Sequence, residues 1–402
     1  MAMIVPQVTT PPMCAETSVF GMSVREFRDT TLRAVAAGLL ALVFPALASA
    51  QDSLPTPALP RVELLEADPL LLPGSVDSNS PALWTLGSGR RRLKLFTSTA
   101  GTPSVSEGLR IRRMHAAEPV TIVNPPAHGV WFEAVVADDQ NVWYAVYHNE
   151  IPAERCERLD RTVPQVGLMR SDDDGVTWTD LGIILKADRN RIACDTGNAY
   201  FVGGIGDVSA VLNDEQTDLY IFFSQYSPTP SGQGVSVARL PWAHRDDPAG
   251  RADVWIDGIW QAPDLVDEPG PDGTIATVTV SPEGTALFPT ERPWHDDDPG
   301  GDAFWGPSVH WNTHLEQWVM LLNRTVDDDW TQDGVYVSFA STLDDPSQWT
   351  LPVRIIEGGR WYPQVIGLEP GIGTDKLAGE TARLFIGGES THVIRFVRPA
   401  ER

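Results

Sequence analysis

The chain has 402 residues, with 54 acidic against 30 basic side chains and a net charge of −24. That balance excludes nucleic acid as a natural partner, because phosphate binding needs clustered Lys and Arg. The length fits one large domain or two ordinary ones, and the acidity fits a secreted protein kept soluble by its own charge.

In chain order, Arg25, Arg28 and Arg33 precede an apolar run over 34–47, and Ala48-Ser49-Ala50 follows it. Basic flank, apolar run and small-x-small site make the pattern of a secretory signal peptide. The run is too short to span a membrane comfortably. Residues 1–50 therefore read as an N-terminal extension and signal peptide, with Met22 as the start and cleavage after Ala50. The mature chain would begin at Gln51, be secreted or periplasmic, and carry no membrane span. Residues 51–402 read as a single domain, expected to be a monomer. Two cysteines remain, Cys156 and Cys194. An oxidising compartment predicts a disulfide between them; two free buried thiols are the alternative.

No stretch of the mature chain keeps a helical period. Short Val-, Ile-, Phe- and Trp-rich runs recur instead, separated by Gly, Pro, Asp and Asn, which predicts an all-β fold. The runs fall into pairs. First members are Asp77-Ser78-Asn79-Ser80-Pro81-Ala82-Leu83-Trp84, Trp131-Phe132-Glu133-Ala134-Val135-Val136, Gly206-Asp207-Val208-Ser209-Ala210-Val211-Leu212, Phe304-Trp305-Gly306-Pro307-Ser308-Val309-His310-Trp311 and Trp361-Tyr362-Pro363-Gln364-Val365-Ile366. More apolar partners follow each, beginning at Leu93, Val142, Leu219, Trp318 and Arg383, and third strands begin at Gly167, Gly234 and Gly334. Five such units predict a five-bladed β-propeller. A β-sandwich with long loops does not explain five similar pairs. The excess length lies in inserted loops such as 264–299. Val62-Glu63-Leu64-Leu65 is expected as an edge strand that closes the ring against the last blade.

Between the third and fourth strands of the second blade lies Ser171-Asp172-Asp173-Asp174-Gly175-Val176-Thr177-Trp178. Asp and Gly supply a tight turn, and Trp is expected to pack beneath it. This octet resembles the Asp-box of sialidase-like β-propellers. There the motif lies away from the active site, so the resemblance implies architecture rather than chemistry.

In a propeller the first strand of each blade lines the central channel, and its entry end opens into a funnel. That nominates Asp77, Asn79, Glu133, Asp207, Trp305 and Tyr362. The ends of second strands add Ser98, His148, Asn149, Glu150, Ser224 and Asn323. Carboxylates from three blades would then converge, the usual equipment for glycoside cleavage. One ionised carboxylate activates water, and one protonated carboxyl gives its proton to the leaving oxygen. Trp131, Trp305, Trp311, Trp361 and Tyr362 offer faces for sugar stacking. The candidate substrate-binding set is Asn79, His148, Glu150, Trp305, His310 and Tyr362.

On these residues the chain resembles, over roughly 70–400, the five-bladed glycosidase superfamily that includes arabinanase/xylosidase-type and invertase-type enzymes. The resemblance implies Asp77 as catalytic base, Asp207 as the acid that tunes the proton donor, and an inverting reaction. That family commonly places its proton donor in a Glu-Gly-Pro turn, whereas this chain has Trp305-Gly306-Pro307. The acid must then come from Glu133, Glu150 or His148, with Glu133 the first choice because it occupies a blade entry. Two plainer readings stand beside these: Asp207 bonding loop backbone, and His148-Asn149-Glu150 as a polar strand end.

No cofactor is expected. His295-Asp296-Asp297-Asp298 and Asp302 are oxygen-rich enough for a structural Ca²⁺, against the plainer reading of a solvated acidic loop. Asp327-Asp328-Asp329 reads as a solvated turn, and Asn323-Arg324-Thr325 forms a glycosylation sequon. Sialidase chemistry is disfavoured, because no funnel entry carries an Arg to hold a carboxylate. The reading is a secreted glycoside hydrolase acting on a neutral or cationic glycan. Its rivals are a non-catalytic glycan-binding propeller and a protein-interaction scaffold.

Overall fold

The sequence pairs become five antiparallel sheets in a propeller arrangement. The structure is a computed structural model and describes residues 59–402, apart from 88, 271–273, 293, 295–300, 328 and 400–402. The proposed signal peptide and the acidic loop at 295–298 lie outside the described residues.

Blade 1 comprises Ala82–Gly87, Arg90–Thr99, Thr102–Gly108 and Glu118–Pro119. Blade 2 comprises Val130–Ala137, Trp143–Ala153, Arg158–Ser171 and Thr177–Leu185, with Thr121–Ile122 added parallel at its outer edge. Blade 3 runs Ile205–Leu212, Asp218–Tyr226, Gln233–Pro241, Asp253–Ile256 and Ile259–Gln261. Blade 4 runs Phe304–Asn312, Gln317–Thr325, Gln332–Ala340 and Val353–Glu357. Blade 5 takes Pro363–Gly367, Thr381–Ile386 and Glu389–Val397, and its outermost strand is Arg61–Leu71 from the other end of the described chain. The expected closing strand is therefore present, with Val62 opposite Phe396 and Leu64 opposite Ile394. The inserted stretch 264–299 is not all loop. Its β-branched Ile275–Val280 pairs with Asp264–Pro269 as a separate hairpin.

The second strands lie between neighbours and read as unbroken apolar runs because both faces are covered. Leu219, Tyr220, Ile221, Phe222 and Phe223 are all buried. Apolar cores fill every blade junction. Phe96 meets Phe132 and Trp143 between blades 1 and 2, and Val146 shares a core with Val208 and Phe223 between blades 2 and 3. Phe222 and Met320 share the core between blades 3 and 4, Val319 and Leu384 share that between blades 4 and 5, and Phe385 and Leu95 share that where the ring closes.

Polar clamps join the blades near the funnel. Ser98 Oγ accepts from the Phe132 N–H at 2.9 Å, and Ser224 Oγ accepts from the Gly306 N–H at 3.0 Å. Asn323 Oδ1 accepts from the Tyr362 N–H at 3.0 Å. In each case the second strand of one blade satisfies a buried backbone donor at the start of the next. Ser98, Ser224 and Asn323 are thus structural rather than open funnel groups. Asn323 is fully buried and also donates to the Arg360 carbonyl at 3.1 Å, so the folded sequon offers no accessible amide.

The octet forms the turn expected of it. Asp173 accepts from the Val176 and Thr177 N–H groups at 3.1 and 2.8 Å and from the Thr177 hydroxyl at 2.7 Å. Gly175 has φ of 77°, and a Cβ there would lie 3.0 Å from Phe96 and Trp143. Trp178 is fully buried, edge-on to Phe96 and Phe132. The Cys156–Cys194 disulfide is formed. It ties the hairpin tip of blade 2 to the loop over 186–204.

Replacing Asp173 by Ala removes the turn's anchor and should lower stability by about 1–2 kcal/mol, the scale of a lost capping interaction. Thermal unfolding should show a reduced midpoint, while any activity per folded molecule stays at the wild-type value. An unchanged midpoint would show that the turn is held without it.

Candidate active site

Three bulges build the centre. In blade 2, Phe132 pairs with Tyr147 and Ala134 with Val146, leaving Glu133 as the extra residue. In blade 3, Gly206 pairs with Ser224 and Val208 with Phe223, leaving Asp207 extra. In blade 4, the shift lies between Trp305 and Ser308 and takes in Gly306 and Pro307. A bulge breaks the two-residue alternation and re-aims a side chain that would otherwise follow the strand's pattern. Asp207 takes φ of 41° and Gly306 takes 58°. For a non-glycine residue such as Asp207 this conformation is strained, and the surrounding structure must hold it.

Glu133 and His148 form the heart of the site. Glu133 Oε1 lies 2.7 Å from His148 Nδ1, and Oε2 accepts from the Asn79 N–H at 2.9 Å. Both side chains are essentially buried, at 0% and 4% exposure. Burial pushes Glu133 up to about 7, against the pull of His148. Burial alone would lower His148. Hydrogen bonds to Glu133 and Glu150 outweigh it and hold the imidazole well above its ordinary value, in the charged form. Trp131 stacks on the imidazole at 4.8 Å between ring centres. On the far side, His148 Nε2 lies 3.6 Å from Glu150 Oε1. Glu150 is also anchored by the Thr162 hydroxyl at 3.1 Å.

Asp207 is buried beneath two phenols. Tyr362 donates to its Oδ1 at 3.0 Å, and Tyr226 donates to its Oδ2. Burial raises its pKa, while His148 and the phenols oppose the rise. Asp77 is half-buried at the blade 1 entry, its N–H bonded to the Ser98 carbonyl at 2.8 Å. Burial, then the charge of Asp207, raise its pKa.

These groups surround a chamber of about 220 Å³. Asp77, His148, Glu150 and Asp207 supply its polar wall, and among the described residues no Lys or Arg lines it. Trp131, Trp305, Trp361 and Tyr362 supply aromatic surface, as the sequence suggested. Loops add Tyr200, Phe201 and Trp330, which lie outside the repeating strands and escaped the sequence reading.

Other expected site residues lie elsewhere. Glu133 does not line the chamber; it stands behind His148 with both oxygens engaged. Asn79 is a strut across the axis, donating from Nδ2 to the Val208 carbonyl at 3.0 Å and the Pro307 carbonyl at 2.9 Å. Asn149 anchors a loop through the Ala127 and Gly129 carbonyls. His310 is fully buried, edge-on to Phe396, and burial followed by the charge of Lys376 lowers its pKa to about 3. The bulge between Trp305 and Ser308 resets the strand's alternation, so membership of one strand does not give His310 the surroundings of Trp305. Trp311 packs on Trp318 beside a separate apolar groove.

Glu133, His148 and Asp207 each offer a ligand atom, and these atoms lie within 4.8 Å of one another. Glu133 and His148 already bond each other, and Asp207 already takes two phenol protons. The trio therefore satisfies itself by hydrogen bonding, which fits a metal cage poorly. Asp302 is likewise engaged, accepting from the backbone of Glu291 and Arg292 at 3.0–3.2 Å.

No family model and no curated protein matches the chain. Among solved structures it is similar to an endo-arabinase from Bacteroides thetaiotaomicron, at 11% identity and a TM-score of 0.42, covering 83% of this chain and 98% of that one. It is also similar to an alpha-L-arabinanase from Cellvibrio cellulosa, at 11% identity and a TM-score of 0.43, covering 80% and 91%. An alpha-L-arabinofuranosidase from Lactobacillus brevis stands at 11% and 0.42, covering 83% and 90%. Likeness at this level carries no statement about what this chain binds or cleaves.

The raised groups fix a sign for stability against pH. Glu133 contributes most below its ordinary 4.5, and that contribution is lost as pH rises through about 7. The contribution of His148 is complete below 6.5 and is lost as pH rises through its higher folded value. Wild-type stability should therefore fall from about pH 4.5 up through 7 and beyond, and Glu133→Gln should make that fall shallower. Denaturant midpoints of both proteins at pH 5 and pH 8 measure it. Parallel slopes would contradict the raised pKa of the buried Glu133.

Proposed function

We propose that the protein is a glycoside hydrolase that cleaves a neutral or cationic glycan in the axial chamber. The observation that carries this reading is the convergence of Asp77, Glu150, Asp207 and a charged His148 on one aromatic-walled cavity. Aromatic faces suit the apolar faces of sugar rings. Carboxylates without a compensating Lys or Arg repel an anionic sugar. The same convergence speaks against a scaffold in which these acids are incidental.

In the proposed reaction Asp77 is the base. Its raised pKa makes it a better proton acceptor near neutral pH than an ordinary carboxylate. It takes a proton from water as the water oxygen bonds to the anomeric carbon. The bond from that carbon to the leaving oxygen breaks, and the leaving oxygen receives the Nε2 proton of His148, which Glu150 faces at 3.6 Å. A single displacement of this kind inverts the anomeric centre. Glu133 is a positioning residue that keeps His148 charged, and Asp207 sets the field around it. This moves the proton donor from Glu133 to the pair in front of it, because Glu133 is enclosed.

Secretion is part of the proposal. The disulfide fits an oxidising compartment, and no helix of the described residues is long and apolar enough to cross a membrane. A binding-only reading draws on Trp305, which stands where the resembled family has its acid and donates its indole N–H to Gln332 at 3.0 Å.

Asp77→Asn and Glu150→Gln should each lower kcat on a cleaved glycan by at least about 100-fold, the usual share of one acid or base. Their thermal midpoints should stay close to wild type. Reducing-end release from a polysaccharide panel, read beside binding, measures this. Full turnover in either variant overturns the roles, and binding without release across the panel supports the binding-only reading.

A further inference from the structure

The chamber is closed on the sides that matter for chain length. Behind its His148 wall lies Glu133, bonded to the Asn79 N–H, and Asn79 spans the axis to the backbones of blades 3 and 4. Beside it, the loop over 186–204 brings Tyr200 and Phe201 into the wall. That loop is built to stay in place. Cys194 is bonded to Cys156, and Thr162 exchanges backbone hydrogen bonds with Tyr200 and Val202 at 3.0 and 3.1 Å. Asn198, fully buried, accepts from the Tyr200 and Phe201 N–H groups at 2.9 Å and from the Trp330 indole at 3.4 Å. The Tyr200 ring then stands edge-on to Trp330 and Trp361 at 6.1 and 5.5 Å.

On its other side the chamber meets a wider cleft of about 490 Å³. Asp77, Trp330, Trp361 and Tyr362 line both spaces, and the cleft continues over Gln332 and Arg360. A chamber of about 220 Å³ is smaller than the ~300–1,000 Å³ pockets that hold drug-sized ligands. It suits one sugar ring, and the cleft suits the units that follow. Asp77 lines both spaces, so the chamber and the cleft are continuous there.

Building on the hydrolase reading, we infer that the protein acts from the chain end, drawing one non-reducing terminal sugar into the chamber, and that Tyr200 is the specificity-determining residue that closes it. A chain cannot thread through, because the strutted axis behind His148 and the Tyr200 wall block its continuation. Each cycle releases one monosaccharide and returns a chain one unit shorter.

The test uses neutral pentose and hexose pentasaccharides with a fluorophore at the reducing end. One set has a free non-reducing end, and the other has its terminal sugar capped by a bulky acetal. Binding is read by fluorescence anisotropy, and products are read by chain length over time. With wild type, free chains should shorten one unit at a time, and the cap should weaken binding at least tenfold. Tyr200→Ala should return most of the lost affinity for capped chains; the ring is 41% exposed, so its removal leaves the core intact. Mid-chain fragments as first products, equal binding of free and capped chains, or no binding by any chain overturns the inference. Binding that senses the cap but yields no cleavage supports the closed chamber and contradicts the hydrolase instead.

Discussion

The site depends on one buried contact, the 2.7 Å pair between Glu133 and His148 on blade 2. Removing two charges from water costs several kcal/mol per ion, and attraction repays this only when the remaining valences are met. Here they are met. The Asn79 backbone takes the second Glu133 oxygen, and Glu150 faces the second His148 nitrogen. A pair this enclosed contributes little net stability, and breaking it would leave a lone charge at the axis. Its consequence is positional: it fixes a cationic imidazole at the wall of an acidic chamber.

The bulges make that arrangement possible. A regular strand gives alternate residues to alternate faces, and both faces of these blades are covered by neighbours. One extra residue in blade 2 places Glu133 on the axis, and one in blade 3 does the same for Asp207. Tyr362 enters blade 5 with φ of 59° and reaches Asp207 with its hydroxyl. Strain at Asp207 is held by the Ser224 hydroxyl, which donates to its carbonyl at 3.3 Å, and strain at Tyr362 by Asn323 Oδ1, which accepts from its N–H at 3.0 Å. Chemistry and ring closure are therefore carried by adjacent atoms of the same strand ends.

Much of this was legible in the sequence. Five strand pairs aligned, and their entry positions picked out Asp77, Glu133 and Asp207 from residues far apart in the chain. Apolar composition gave the all-β class, the Asp-Gly turn gave the strand register of blade 2, and the compartment argument gave the disulfide. What escaped depends on one-residue geometry or on loops. Glu133 appeared to face the funnel because nothing in Trp131-Phe132-Glu133-Ala134 announces a bulge. Ser98, Ser224 and Asn323 sit at funnel height but serve backbone donors of the next blade, a partner that strand spacing cannot supply. His310 was drawn in by its strand, whose phase is reset before it. Tyr200, Phe201 and Trp330 belong to no repeat, and their meeting rests on Asn198, which no pattern marks.

The account's central claim is that the axis holds a proton at the chamber wall, on His148. The ring ¹⁵N shifts of His148, followed by NMR through a pH titration of the full chain, test it most directly. The account predicts an imidazolium at pH 7 that titrates well above the ordinary 6.5. An imidazole already neutral at pH 7, titrating at or below 6.5, would contradict it.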